Sequence, residues 1–518
     1  MKYALMLALC GLWLSACGTP EEPNTQPDPF KFGPGEQDGP GKDESDDTTD
    51  DASEDTSEDD TPDVVIVIPP KPVEQQLFEL DGVVGVQEEP SAGPYRVFTL
   101  SVRQPLDHND PNSPTFIQRM YLFHQSTEAP MVLVTSGYGL GDLDSYRQFP
   151  VEIGQMVGGN HIFLGHRFFD GALPSGQNQD WSKVNIRQAA ADNHRIVSQL
   201  KAVYDTPWIG TGWSKGGMTA IFHERFYPDD LDLVVPMVAP ISLAPQDDRY
   251  PPALATIGTP ECRQTLETSI IGALGRLDEF LDVFQIPDAQ RPEYQAWFKS
   301  QIVAFAWGYW QYLGIKACGS IPDGTFAPIE DLANFYFYLQ VPGPAFAIDE
   351  ETAQTYTYTY QAETQLGYQD VFEEGYLERL QLGGHVTEDE VFQYRLPTRD
   401  QLGLQTPWDV MPAFDPAPMQ DVDMWLRNDA TDMLAVYGEF DPWTAAKVTL
   451  NEANGSKVYI VPEGTHGVFL QDLSARDFQE VRARIQSILP PNPNGLSRPI
   501  TPVVDRTLLT RMLRDRKL

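Results

Sequence analysis

The chain has 518 residues, enough for more than one domain and a sizeable buried core. Its formal net charge is -39 with a pI near 4.4, which leaves nothing basic to neutralise phosphates and excludes nucleic acid as a partner. The acid is concentrated in Glu21 to Asp63, where seventeen acidic residues face two lysines and repulsion prevents collapse.

In chain order, Lys2 and the apolar stretch Tyr3 to Leu14 read as a signal peptide, too short for a stable bilayer anchor. It ends in Leu14-Ser15-Ala16-Cys17, which resembles a bacterial lipobox with Cys17 as the lipidated residue; the alternative is an ordinary cleaved signal. Residues 1–17 are therefore expected to be a lipoprotein signal peptide, and 18–75 a disordered acidic tether from a cell-envelope membrane. With Cys10 removed and Cys17 lipidated, Cys262 and Cys318 remain in an oxidising compartment and are expected to form a disulfide.

Folded sequence begins near Gln76. Arg96 to Val102 and Phe116 to Phe123 predict two strands joined through the turn-rich Asp107 to Pro114. Met131 to Thr135 is a continuous apolar run of the kind found in strands buried on both faces, and it breaks at Ser136-Gly137-Tyr138-Gly139. His161 to Leu164 is the next strand, Ile186 to Tyr204 is mostly helical, and Trp208 to Thr211 is the fifth strand. Leu233 to Val238 is the sixth. After an aromatic-rich stretch, Met433 to Tyr437 and Lys457 to Val461 complete the sheet, and Ser474 to Leu489 predicts a closing helix.

Alternating strands and helices indicate a mostly parallel sheet covered on both faces. The expected fold is an α/β-hydrolase with a large, mainly helical cap inserted after the sixth strand. The sheet portions are 76–242 and 406–490, the cap is 243–405, and 491–518 is a tail. The cap aromatics, Trp297 to Trp310 among them, are expected to form its own core more than to touch substrate.

Thr211-Gly212-Trp213-Ser214-Lys215-Gly216-Gly217 has the form of a nucleophile elbow, where a sharp strand-to-helix turn leaves a serine exposed between two glycines. A serine hydroxyl needs an imidazole to take its proton and a carboxylate to orient that imidazole. Three histidines follow Ser214. His223 falls on the elbow helix, His385 in the cap, and His466 in a Gly-flanked loop after the last strand. The acid is expected at Asp441, after the penultimate strand, with Glu439 as competitor. The expected triad is thus Ser214, Asp441 and His466. The oxyanion hole is expected from the backbone N–H of Lys215 and one from Gly137, Tyr138 or Gly139. The Lys215 ammonium reads as structural. His161 and His166 lack the helical spacing of zinc ligands, so no metal and no cofactor is expected.

Three blocks resemble the S37 serine peptidases, secreted bacterial aminopeptidases that release tri- or tetrapeptides, with the S28 prolyl peptidases as distant relatives. They are Gln104 to His108 with Thr115 to Arg119, His166-Arg167-Phe168-Phe169 through Asp180 to Lys183 and Gln188 to Arg195, and Thr211 to Ala220. The resemblance implies an exopeptidase whose cap admits a free peptide N-terminus and whose carboxylate anchors the ammonium. Family members often carry Glu just before the His-Arg-Phe-Phe block, where this chain has Gly165; Asp349, Glu350 or Glu351 are substitutes to consider. His166, Arg167 and Trp213 are candidate substrate contacts, with a purely structural Arg167 as the alternative. The expected function is a lipid-anchored serine exopeptidase with a peptide substrate. An esterase or lipase, or a surface binding protein without turnover, are the alternatives.

Overall fold

A computed structural model describes residues 71–148, 151–174, 180–337, 357–358, 360–367, 378, 384 and 412–490. The signal sequence with Cys17, the tether as far as Pro70, His385, Asp349, Glu350, Glu351 and the tail lie outside them; the helix Val73–Phe78 starts inside the expected 18–75 tether, so folded sequence begins slightly earlier than expected.

Nine strands form one sheet: β1 (Val83–Ala92), β2 (Tyr95–Pro105), β3 (Thr115–His124), β4 (Met131–Thr135), β5 (Asn160–Leu164), β6 (Trp208–Trp213), β7 (Leu233–Met237), β8 (Leu434–Gly438) and β9 (Lys457–Val461). Their spatial order is β1-β2-β3-β5-β4-β6-β7-β8-β9. The first three are antiparallel to their neighbours, and from β5 onward all pairs are parallel. The exchange of β4 and β5, followed by parallel strands with helices between, is the α/β-hydrolase architecture.

The parallel strands β4, β5, β7 and β8 are buried at every residue, in keeping with their mostly apolar sequences, although β5 opens on the buried polar pair Asn160-His161. In contrast β3 alternates exposed and buried residues along Thr115 to Met120, because one face there meets solvent. The β2–β3 hairpin pairs Leu100 with Met120, and Ser113 Oγ accepts the Asp107 N–H across the turn.

Two corrections concern strand count. An edge strand, β1, precedes the expected first one, so the helical insertion follows the seventh strand and Ser214 follows the sixth. None of the β1 residues is fully buried, and Gly85 and Pro90 lie within it, so it carries neither alternation nor an apolar run.

Between β7 and β8 lie the helices Tyr250–Thr256, Pro260–Leu274, Leu277–Val283, Arg291–Gly308 and Ile329–Phe337. They gather a core of their own around Leu266, Ile270, Phe280, Phe298, Ile302 and Leu332. Pro260 sits in the first turn of its helix and Thr259 caps it by accepting the Cys262 N–H. Cys262 and Cys318 are joined as a disulfide, with Cα atoms 5.5 Å apart. Trp297, Phe298, Phe305, Tyr309 and Trp310 belong to this core, as expected. Trp307 does not: with Tyr250 and Tyr358 it packs on Phe169 and Trp443, residues of the loops that follow β5 and β8.

Candidate active site

The elbow is built by close backbone approach. Ser214 has φ 55 and ψ -125, a region that non-glycine residues rarely occupy and that costs about 1–3 kcal/mol. A Cβ on Gly212 would lie 2.5 Å from the Gly216 carbonyl carbon, and one on Gly216 would lie 2.3 Å from the Thr135 carbonyl oxygen. Both positions therefore exclude any side chain. Thr135 Oγ1 donates to Gly216 O at 2.7 Å and ties the turn to β4. The Ser214 N–H donates to Met237 O at 2.9 Å, and the helix Lys215–Phe226 begins at the next residue.

Asp441 follows β8 and His466 follows β9, neighbouring parallel strands, so both loops emerge at the edge of the sheet where β6 delivers Ser214. His466 Nδ1 is 2.6 Å from Asp441 Oδ2, with side chains 9% and 0% exposed. Asp441 Oδ1 also accepts the Trp443 N–H at 3.1 Å, which fixes the carboxylate plane. The competitor Glu439 is directed elsewhere: its Oε2 accepts the Glu463 N–H at 2.8 Å. The insertion contributes too. The His466 N–H donates at 2.9 Å to the carbonyl of Gln311, in the π-helical turn Tyr309–Leu313. Nothing in the sequence announced that contact, because a backbone carbonyl carries no residue signature. Among the described residues, no hydrogen bond closes Ser214 Oγ onto His466; such bonds often tighten only when substrate is bound.

Of the other two histidines after Ser214, His223 is buried on the elbow helix, where its Nε2 meets Asp230 Oδ2 at 2.7 Å. Asp230 also holds His194 Nδ1 at 2.8 Å. That constellation fastens the helix from behind and is spent on itself.

The loop after β4 lies directly on the elbow. Gly137 has φ 74, and a Cβ there would lie 2.4 Å from the Gly216 nitrogen. Lys215, as the first helical residue, leaves its N–H without an intrahelical partner. The Tyr138 N–H donates to Ser136 Oγ at 3.1 Å. The Tyr138 carbonyl accepts from Ser136 Oγ at 2.6 Å and from the His166 N–H at 2.8 Å.

His166 and Arg167 do not reach outward. The Arg167 side chain is fully buried, and its Nε and Nη2 make 2.7 Å hydrogen bonds to the two oxygens of Asp192. Nη1 donates to Leu106 O at 2.9 Å and Lys183 O at 3.1 Å, and Nη2 to Pro105 O at 3.3 Å. With its donors committed, Arg167 holds three chain segments together and is corrected from substrate contact to structural tie. His166 Nδ1 lies 2.9 Å from Arg167 O, and burial holds its pKa well below the ordinary histidine value. Trp213 packs against Phe469 at 5.9 Å between ring centroids, and its buried indole N–H has no hydrogen-bond partner among the described residues. The Gly165 carbonyl accepts from Gln118 Nε2 at 2.6 Å.

The insertion also supplies Glu363, in the π-helical turn Ala362–Leu366. Its neighbour Ala362 packs in the aromatic cluster with Trp443 and Tyr358, and Tyr358 lies 5.8 Å from Tyr138. Burial raises the Glu363 pKa, and no hydrogen bond to its carboxylate forms among the described residues. Among those residues no cluster of His, Cys, Asp and Glu is arranged to hold a metal ion.

A family model described as PS-10 peptidase S37 matches residues 69–494. The chain is 32% identical over 441 residues to the prolyl tri/tetrapeptidyl aminopeptidase of Streptomyces mobaraensis, which covers 81% of this chain and 85% of that protein. Among solved structures, the peroxisomal alpha-beta-hydrolase Lpx1 of Saccharomyces cerevisiae is 11% identical, with a TM-score of 0.31 over 82% of this chain and 97% of that one. The proline iminopeptidase of Mycobacterium smegmatis is 12% identical, with a TM-score of 0.30 over 75% and 98%.

Proposed function

The chain belongs to the PS-10 peptidase S37 family of serine peptidases, and from that premise we propose an exported, lipid-anchored aminopeptidase that releases tri- or tetrapeptides from free peptide N-termini. The observation that carries the mechanism is the Asp441–His466 hydrogen bond at the sheet edge that also delivers the Ser214 elbow.

His466 Nε2 takes the Ser214 proton as Oγ attacks the scissile carbonyl, and Asp441 holds the opposite ring nitrogen protonated and stabilises the imidazolium. The tetrahedral oxyanion is received by backbone N–H groups of Lys215 and the 137–139 loop. His466 then gives the proton to the leaving amine, and a water repeats the sequence on the acyl-enzyme. A fluorophosphonate probe should form one adduct, mapped by mass spectrometry to Ser214 and lost in His466→Ala. An adduct on another serine contradicts the assignment.

An exopeptidase must also discriminate a charged N-terminus, which calls for a carboxylate. Glu363 is the carboxylate this reading assigns: it adjoins Ala362, which packs in the cluster with Trp443 and Tyr358, and among the described residues no hydrogen bond occupies its partly desolvated carboxylate. The lipid anchor rests on Leu14-Ser15-Ala16-Cys17. Full-length protein expressed in bacteria should partition into detergent and lose that property on Cys17→Ser; partitioning unaffected by the change rules out the anchor.

A further inference from the structure

Lys215 occupies the least favourable place for a cation. The residue is 2% exposed, it stands in the first turn of a helix, and no carboxylate lies within ion-pair distance among the described residues. The positive end of the helix dipole opposes an ammonium there, and burial alone drives its pKa well below the ordinary lysine value. Among the described residues its surroundings offer two ring faces, Phe169 at 4.9 Å and Tyr138 at 5.3 Å, and one hydrogen-bond acceptor, the carbonyl of Gly137. An apolar side chain of similar length would fill this volume without the desolvation cost. The amino group is therefore retained for what it does to Gly137.

That carbonyl belongs to the peptide group whose N–H is that of Tyr138. In a trans peptide the C=O and N–H point in opposite directions, so a hydrogen bond that fixes one fixes the other. Gly137 has φ 74 and no Cβ, so nothing in its own side chain resists a flip of this peptide plane. The following carbonyl, of Tyr138, is held separately by Ser136 and His166.

We propose that the Lys215 side chain is a positioning residue for the oxyanion hole, in which its Nζ clamps the Gly137 carbonyl and thereby aims the Tyr138 N–H. Lys215 then serves the oxyanion twice, directly through its backbone N–H and indirectly through its amino group. The Tyr138 N–H donates to Ser136 Oγ at 3.1 Å, at the long end of the usual range, and a substrate oxyanion replaces that neutral acceptor with a charged one.

The inference rests on the acyl-enzyme reading above, and the test separates the two. Lys215→Met and Lys215→Leu are compared with the unmutated protein and with Ser214→Ala in melting temperature, kcat, KM and affinity for a peptidyl boronic acid. The expected result for both Lys215 variants is a melting temperature equal or higher and a kcat lower by about 10²-fold, the usual size for one lost oxyanion donor. KM should stay within about twofold, and boronate affinity should fall by the same factor as kcat/KM. A merely structural lysine gives the opposite pattern, with a lower melting temperature and an unchanged kcat for the folded fraction. That pattern, or failure of both variants to fold, overturns the proposal while leaving the triad intact. Cleavage surviving in Ser214→Ala removes the acyl-enzyme reading itself.

Discussion

Arg167 and Asp192 meet as a fork, Nε to Oδ2 and Nη2 to Oδ1 at 2.7 Å each, with side chains 0% and 1% exposed. His108 Nε2 is 2.7 Å from the same Oδ1, so the carboxylate joins the β2–β3 turn, the loop after β5 and the helix Ile186–Leu200. Arg167→Met leaves Asp192 buried without its guanidinium and should cost about 3–5 kcal/mol in chemical denaturation. KM of the folded fraction should be unchanged; a raised KM at full stability would return Arg167 to the substrate.

Asp441 and Glu439 compete in the sequence but not in space. Asp441→Asn preserves the shape of the His466 contact yet presents the wrong tautomer, and should lower kcat by about 10³–10⁴-fold. Glu439→Gln should stay within about threefold, because Glu439 caps the Glu463 N–H. Steady-state kinetics on both variants decide; equal losses would mean the acid was misassigned.

Glu224, on the buried side of the elbow helix, has its pKa pushed up to about 8 by burial and by Asp230, Asp432, Asp229 and Asp232. The folded protein keeps this proton where the unfolded chain, with an ordinary value near 4.5, has lost it. Stability attributable to Glu224 is therefore complete below about pH 4.5 and declines as pH rises to 8. Glu224→Gln should remove that decline, gaining roughly 2–4 kcal/mol over the parent at pH 8 and little at pH 4.5. Urea unfolding at both pH values measures it; a gain that does not grow with pH contradicts the burial argument.

Glu363→Gln tests the amine anchor. KM for free-amine peptides should rise by about 10–100-fold, the loss of a partly desolvated ion pair, with melting temperature unchanged. Hydrolysis of an N-blocked ester should be unaffected. Equal effects on blocked and free substrates would place the anchor elsewhere.

The parallel strands were readable because burial on both faces forces an apolar run, and the elbow because its glycines answer a backbone contact below 3 Å. Asp441 and His466 were readable because each had to follow a strand of that sheet. β1 was hidden because an exposed edge needs no pattern. Arg167 looked functional because an arginine in a distinctive block serves loops and ligands equally well, and only its five hydrogen bonds decide. Lys215 and Gln311 act through the carbonyl of Gly137 and the N–H of His466, contacts between segments far apart in the chain that local pattern does not encode.

The most direct measurement incubates the protein and its Ser214→Ala variant with matched free and N-acetylated peptides and reads the products by mass spectrometry. The account predicts tri- or tetrapeptides released from free N-termini only, and only by the unmutated protein. Internal cleavage, equal cleavage of acetylated peptides, or ester hydrolysis with no peptide product would contradict it.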